Sequence, residues 1–97
     1  MISSKQRSFL RGLANTIPAI FQIGKEGLTD NFIKQIHDAL EARELIKITL
    51  LKNSLLDIRE VCQELAEKVG ADVVQIIGNK FILYRKSKDN PRIQLPR

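Results

Sequence analysis

Between residues 19 and 85 the spacing of apolar side chains changes period again and again, and glycines or polar turns mark the changes. Ala19-Ile20-Phe21-Gln22-Ile23 reads as a short strand. Phe32, Ile33, Ile36, Ala39 and Leu40 then recur at steps that line one face of a helix. Leu45-Ile46-Lys47-Ile48-Thr49-Leu50 alternates as a half-buried strand does. Ile58, Val61, Cys62, Leu65 and Val69 return to helical spacing, in a helix expected to begin at Ser54 and stop at Gly70. Val73–Ile77 and Phe81–Arg85 are strands around a Gly78-Asn79-Lys80 turn. Ahead of all this, Ser3 and Gln6 form a capping box for a helix carrying Phe9, Leu10, Leu13 and Ala14, which Pro18 ends. The expected order is α-β-α-β-α-β-β, an α/β chain of the two-layer α+β kind with a four-stranded mixed sheet packed on helices.

At 97 residues the chain is expected to be one domain, with residues 88–97 as an extended tail. One cysteine, Cys62, excludes an internal disulfide and a cysteine-based zinc site, and continues the apolar stripe of its helix. The start has no signal-peptide core and the longest apolar run is Phe81–Tyr84, so a cytoplasmic protein with no membrane contact is expected.

The charge is unevenly placed. Residues 1–25 hold Lys5, Arg7, Arg11 and Lys25 and no acid, and residues 78–97 hold Lys80, Arg85, Lys86, Lys88, Arg92 and Arg97 against Asp89 alone. The middle of the chain is mildly acidic. Two basic ends suit a polyanion, and the expectation is that they fold to the same side as the main-chain amides of residues 24–28.

Enzyme chemistry has no residues to rest on. His37 is the single histidine, without a second ligand at metal spacing, and no nucleophile elbow or Gly-Lys-Ser/Thr phosphate loop occurs. No cofactor, metal or small-molecule substrate is expected. The aromatics Phe9, Phe21, Phe32, Phe81 and Tyr84 occupy mostly apolar positions, which favours core packing over base stacking.

The junction Gly24-Lys25-Glu26-Gly27-Leu28-Thr29 has an arrangement that suits a ligand. Two glycines let backbone come close, and they lead into a helix with Thr29 as N-cap, whose first N–H groups have no intrahelical partner. Such a corner seats an anion, with Lys25 adding charge. A tight strand-to-helix turn is the plain alternative. Glu26 is unfavourable beside a phosphate unless it points away. On the binding reading, Gly27→Val weakens binding and lowers the melting temperature only modestly.

"IGKEGLT", "ALEARELIKI" and "VVQIIGNKFILYRKS", in this order, resemble the CRM domain (chloroplast RNA splicing and ribosome maturation) in its short stand-alone bacterial form. The resemblance runs from "KQRSFLRGLAN" to "IQLP". It implies a fold like the C-terminal domain of bacterial translation initiation factor three. It also implies RNA binding, and association of a non-catalytic protein with precursors of the large ribosomal subunit. The family's Gly-X-X-Gly loop falls on Gly24 to Gly27, continuing through Leu28 and Thr29.

The resulting candidate RNA-binding set is Gly24, Lys25, Glu26, Gly27, Leu28, Thr29, Lys5, Arg7, Arg11, Lys80, Arg85, Lys86 and Lys88, on a monomer whose partner is large-subunit ribosomal RNA. Arg85 and Lys86 rank highest, where the last strand leaves the sheet. The alternative is an assembly factor that binds ribosomal proteins through Glu60, Glu64 and Glu67 on the third helix. A KH arrangement fits less well, because a strand precedes the glycine loop here where KH has a helix.

Overall fold

Three helices and four strands follow one another as expected in a computed structural model that describes residues 1–97: α1 (Ser4–Ala14), β1 (Phe21–Ile23), α2 (Asp30–Arg43), β2 (Leu45–Leu50), α3 (Ile58–Val69), β3 (Asp72–Ile77) and β4 (Lys80–Tyr84). The capping box holds α1: the Ser3 hydroxyl accepts from Gln6 N–H at 3.1 Å, and Gln6 Oε1 accepts from Ser3 N–H at 2.9 Å. Gly70, at a φ of 67°, closes α3.

The sheet runs β1-β2-β4-β3, with β1 and β2 parallel and the other pairs antiparallel. A parallel neighbour requires a crossover, and α2 supplies it. The alternation along β2 sends side chains to both faces. Ile46, Ile48 and Leu50 join Phe81 and Leu83 beneath α2 and α3, in a core with Ile36, Leu40, Val61, Leu65 and Val69. Leu45, with Ile82, Tyr84 and Val74, faces the other way and packs on Leu10 and Ala14 of α1. Helices α2 and α3 thus make the main helical layer, while α1 covers part of the opposite face.

Three local details depart from expectation. Strand β1 starts at Phe21 because it pairs only with the second half of β2. Helix α3 starts at Ile58: the Ser54 hydroxyl accepts from Leu56 N–H, two residues on, and closes a turn, and Asp57 caps the helix through Arg59 N–H at 2.8 Å. A bulge between Val73 and Gln75 turns Val74 towards α1.

The two ends of the sheet carry different sets of residues. The C-terminal ends of β1 and β2 lie together, and the β3–β4 turn joins them through Leu50 N–H donating to the Asn79 carbonyl at 2.7 Å. The start of β2 and the finish of β4 form the other end, where Leu45 pairs with Tyr84. Helix α2, with its 14 residues, separates the two by about 21 Å.

Candidate nucleic-acid interface

The glycine corner stands at the first of these ends. Gly27 N–H donates to the Gly24 carbonyl at 3.1 Å and Thr29 N–H to the Gly27 carbonyl at 3.2 Å, closing two consecutive turns. The amides of Lys25, Glu26 and Leu28 have no protein partner, and neither do those of Asp30 and Asn31 in the first turn of α2. Thr29 is the N-cap, its hydroxyl accepting from Phe32 N–H at 3.1 Å. Unpaired donors from the loop and from the helix therefore sit together, at the positive end of the helix dipole.

An open cleft of about 380 Å³ lies over them, lined by Gln22, Gly24, Lys25, Glu26, Gly27, Thr29, Phe32 and Asn53. The loop after β2 forms its second wall. Leu51 N–H donates to the Ile23 carbonyl at 2.8 Å, and a Cβ on Gly27 would meet Leu56 Cδ1 at 3.2 Å.

The two glycines are not equivalent. Gly27 has a φ of 67°, so the turn itself asks for glycine there. Gly24 has no positive φ, and a Cβ on it would make an ordinary 3.7 Å contact with Leu51 Cδ1. Nothing in the fold requires glycine at position 24.

Of the other candidate residues, Leu28 and Lys80 are at this end of the sheet and the rest are not. Leu28 packs against the main core and anchors the loop. Lys80 is at the same end of the sheet, paired with Thr49. Lys5, Arg7 and Arg11 are on α1, across the sheet from α2, where Arg7 Nε donates to the Val73 carbonyl at 3.2 Å.

Arg85, Lys86 and Lys88 sit at the opposite end of the sheet, a helix length away. Arg85 is tied within the molecule. Its Nη1 donates to the Val69 carbonyl at 2.8 Å and lies 2.6 Å from His37 Nδ1, and its Nη2 donates to the His37 carbonyl at 2.9 Å. The guanidinium joins the end of α3 to α2, and the imidazole accepts through Nδ1. The basic termini do meet each other, since Gln6 Nε2 donates to the Pro96 carbonyl at 2.9 Å and Ile93 packs on the cluster that holds Ile2 and Leu10. Their meeting place is the α1 side, so the single basic face expected from the sequence is corrected: the loop amides stand apart from it.

The tail is held by two carboxylates that apolar spacing and charge counting did not single out. Glu44 is 1% exposed and accepts from the backbone N–H groups of Ser87, Arg92 and Ile93 at 2.8, 2.7 and 2.9 Å. Burial alone would raise its carboxyl. The three N–H bonds and the Lys86 charge outweigh burial and hold it below the ordinary carboxylate range. Glu41 accepts from the Ser87 hydroxyl at 2.6 Å and from the N–H groups of Lys88 and Asp89, which lower its carboxyl to about 2. Glu44 has a φ of 67°, which no pattern of apolar spacing could have shown.

Phe9 is 41% exposed, against the core role expected of it. Burial raises the Cys62 thiol to about 11, which suits its place in the core. No group of three or more His, Cys, Asp or Glu side chains stands where it could hold a metal, and no helix is long and apolar enough to cross a membrane.

Comparison with known proteins agrees over the whole chain. The probable RNA-binding protein YqeI of Bacillus subtilis is 48% identical over 96 residues, 99% of this chain and 100% of the relative. An RNA-binding protein of Haemophilus influenzae is 34% identical over 99% of this chain and 96% of its own. The solution structure of a hypothetical Staphylococcus aureus protein, described as a candidate RNA binder, superposes with a TM-score of 0.82 at 48% identity, covering 99% and 100% of the two chains. The family model of the CRS1 / YhbY (CRM) domain matches residues 2–85, and the chain belongs to that family.

Proposed function

We propose that this chain is a non-catalytic RNA-binding protein that seats a sugar-phosphate strand on the Gly24–Gly27 corner. On this proposal it works as a cytoplasmic monomer on ribosomal RNA in precursors of the large subunit. The observation that carries the proposal is a glycine the fold does not need, Gly24, in a cleft where five amides lack partners. Bare backbone with unpaired donors at a helix N-terminus is the arrangement that takes a phosphate oxygen. The relatives named for RNA binding support the same ligand class.

Lys25 is exposed on the rim of the cleft and neutralises the seated phosphate. Lys5, Arg11, Lys86 and Lys88 lie away from the seat and contribute through the overall positive field. The test is fluorescence anisotropy with a labelled RNA octamer, joined to sedimentation of cell extracts on a gradient. Lys25→Glu is expected to weaken binding about tenfold or more and to remove the protein from large-subunit precursor fractions. Full-strength binding by that variant would overturn the proposal.

A further inference from the structure

Resting on the phosphate seat just proposed, the inference concerns where the strand goes next. The α1 side of the sheet is covered only in part. Leu45, Ile82, Tyr84 and Val74 lie under α1, whereas the next row towards the glycine corner is open. That row crosses all four strands: Gln22 pairs with Thr49, Thr49 with Lys80, and Lys80 with Ile77. Residues paired across a sheet project to the same face. Gln22, Lys80 and Ile77 are exposed and Thr49 is half-buried. Lys47, two residues before Thr49 and therefore on the same face, is half-buried opposite Ile82. A lysine and a threonine on one face of a central strand mark a surface built to stay in contact with solvent or a polar ligand, because a covering helix would strand both of them.

This row is continuous with the seat. Gln22 belongs to both, lining the cleft with Gly24 to Gly27 and pairing with Thr49 on the sheet. We propose that the open row Gln22, Thr49 and Lys80, with Lys47 at the border of the part under α1, is the continuation of the RNA path. A single strand leaving the glycine corner runs across the four strands with its phosphates on Lys80 and Lys47 and its polar edges on Gln22 and Thr49. A four-stranded sheet face is wide enough for about two or three nucleotides. The ligand proposed is an unpaired segment such as a loop or bulge, the form of RNA that sheet-face readers take.

The experiment titrates labelled octauridylate, octaadenylate and a twelve-base-pair RNA duplex against the full chain. Four proteins are compared: wild type, Lys47→Ala/Lys80→Ala, Lys25→Ala, and Arg43→Ala/Lys68→Ala, a charge-matched pair at the far end of the sheet. The row variant is expected to lose about tenfold in affinity for the octamers. Its slope of log affinity against log salt should become shallower by about 1.4, two phosphate contacts at about 0.7 each for a single strand. The far-end variant should lose much less. Equal losses in the row and far-end variants, no loss in the row variant, or a duplex bound more tightly than either octamer would each overturn the path. If Lys25→Ala still binds weakly in those cases, the seat survives and only its continuation is wrong. If Lys25→Ala also binds as wild type, the seat itself is refuted.

Discussion

Alanine in place of Gly27 puts a Cβ on a backbone with a φ of 67° and brings it 3.2 Å from Leu56 Cδ1. The left-handed conformation costs an L-residue about 1–2 kcal/mol. Loss of glycine's freedom in the unfolded chain returns about 0.4–1 kcal/mol. Leu56 is an exposed loop side chain that can yield a few tenths of an ångström. The net loss is therefore about 1 kcal/mol, which for a domain of this size lowers the melting temperature by about 4–8 °C. Asparagine tolerates positive φ and should lose less; valine, stiff at χ1, should lose about 2 kcal/mol or more. That revises the modest loss first expected for valine, which makes it a poor probe of binding. Gly24→Ala meets only a 3.7 Å contact and no positive φ, so its melting temperature should stay level or rise by a few degrees. Thermal unfolding followed by circular dichroism measures all four variants. A Gly27→Ala protein as stable as wild type, or a Gly24→Ala protein that falls equally far, would refute the distinction drawn between the two glycines.

Other expectations rest on the same geometry. Glu44→Gly relieves a positive φ yet removes the acceptor of three N–H groups, so urea unfolding should show a net loss of about 2–4 kcal/mol; a gain would mean the strain outweighs the clamp. The Glu41 carboxyl is depressed to about 2 in the folded state, so its contribution is complete above about 4.5 and is lost as pH falls from there towards 2. Amide exchange at Lys88 and Asp89 should speed up over that window, and Glu41→Gln should abolish the pH dependence. With Lys25, Lys47 and Lys80 as the cations on the seat and its row, single-stranded RNA affinity should drop about 20-fold between 50 and 200 mM salt. A flat response would count against any phosphate seat.

The element order and the core stripes were legible because apolar period is a local property. Each of α2, β2 and α3 carries a face whose residues reappear in the buried core, Ile36 and Leu40, Ile46 and Ile48, Val61 and Leu65. The glycine corner was legible for the same reason, being contiguous in sequence. What escaped notice depends on pairing across long separations. Arg85 was favoured for RNA because of its place after a strand, but its partners His37 and Val69 are fixed only once α2 and α3 pack together. Thr49 was visible as a polar step of an alternating strand, and only the register shows that its row with Gln22 and Lys80 lies beyond the residues that α1 covers. The split between the glycine corner and the basic termini is a matter of which face each helix takes, and net charge carries no record of that.

Glu41, Glu44 and the Ser87 hydroxyl grip the tail almost wholly by its main chain. From Ser87 to Ile93 every residue except position 91 donates its N–H to one of them. Position 91 is a proline, the residue with no N–H to give. The segment should accordingly accept wide changes of side chain at its exposed positions 88, 89, 90 and 92, while refusing a second imino acid at any of them.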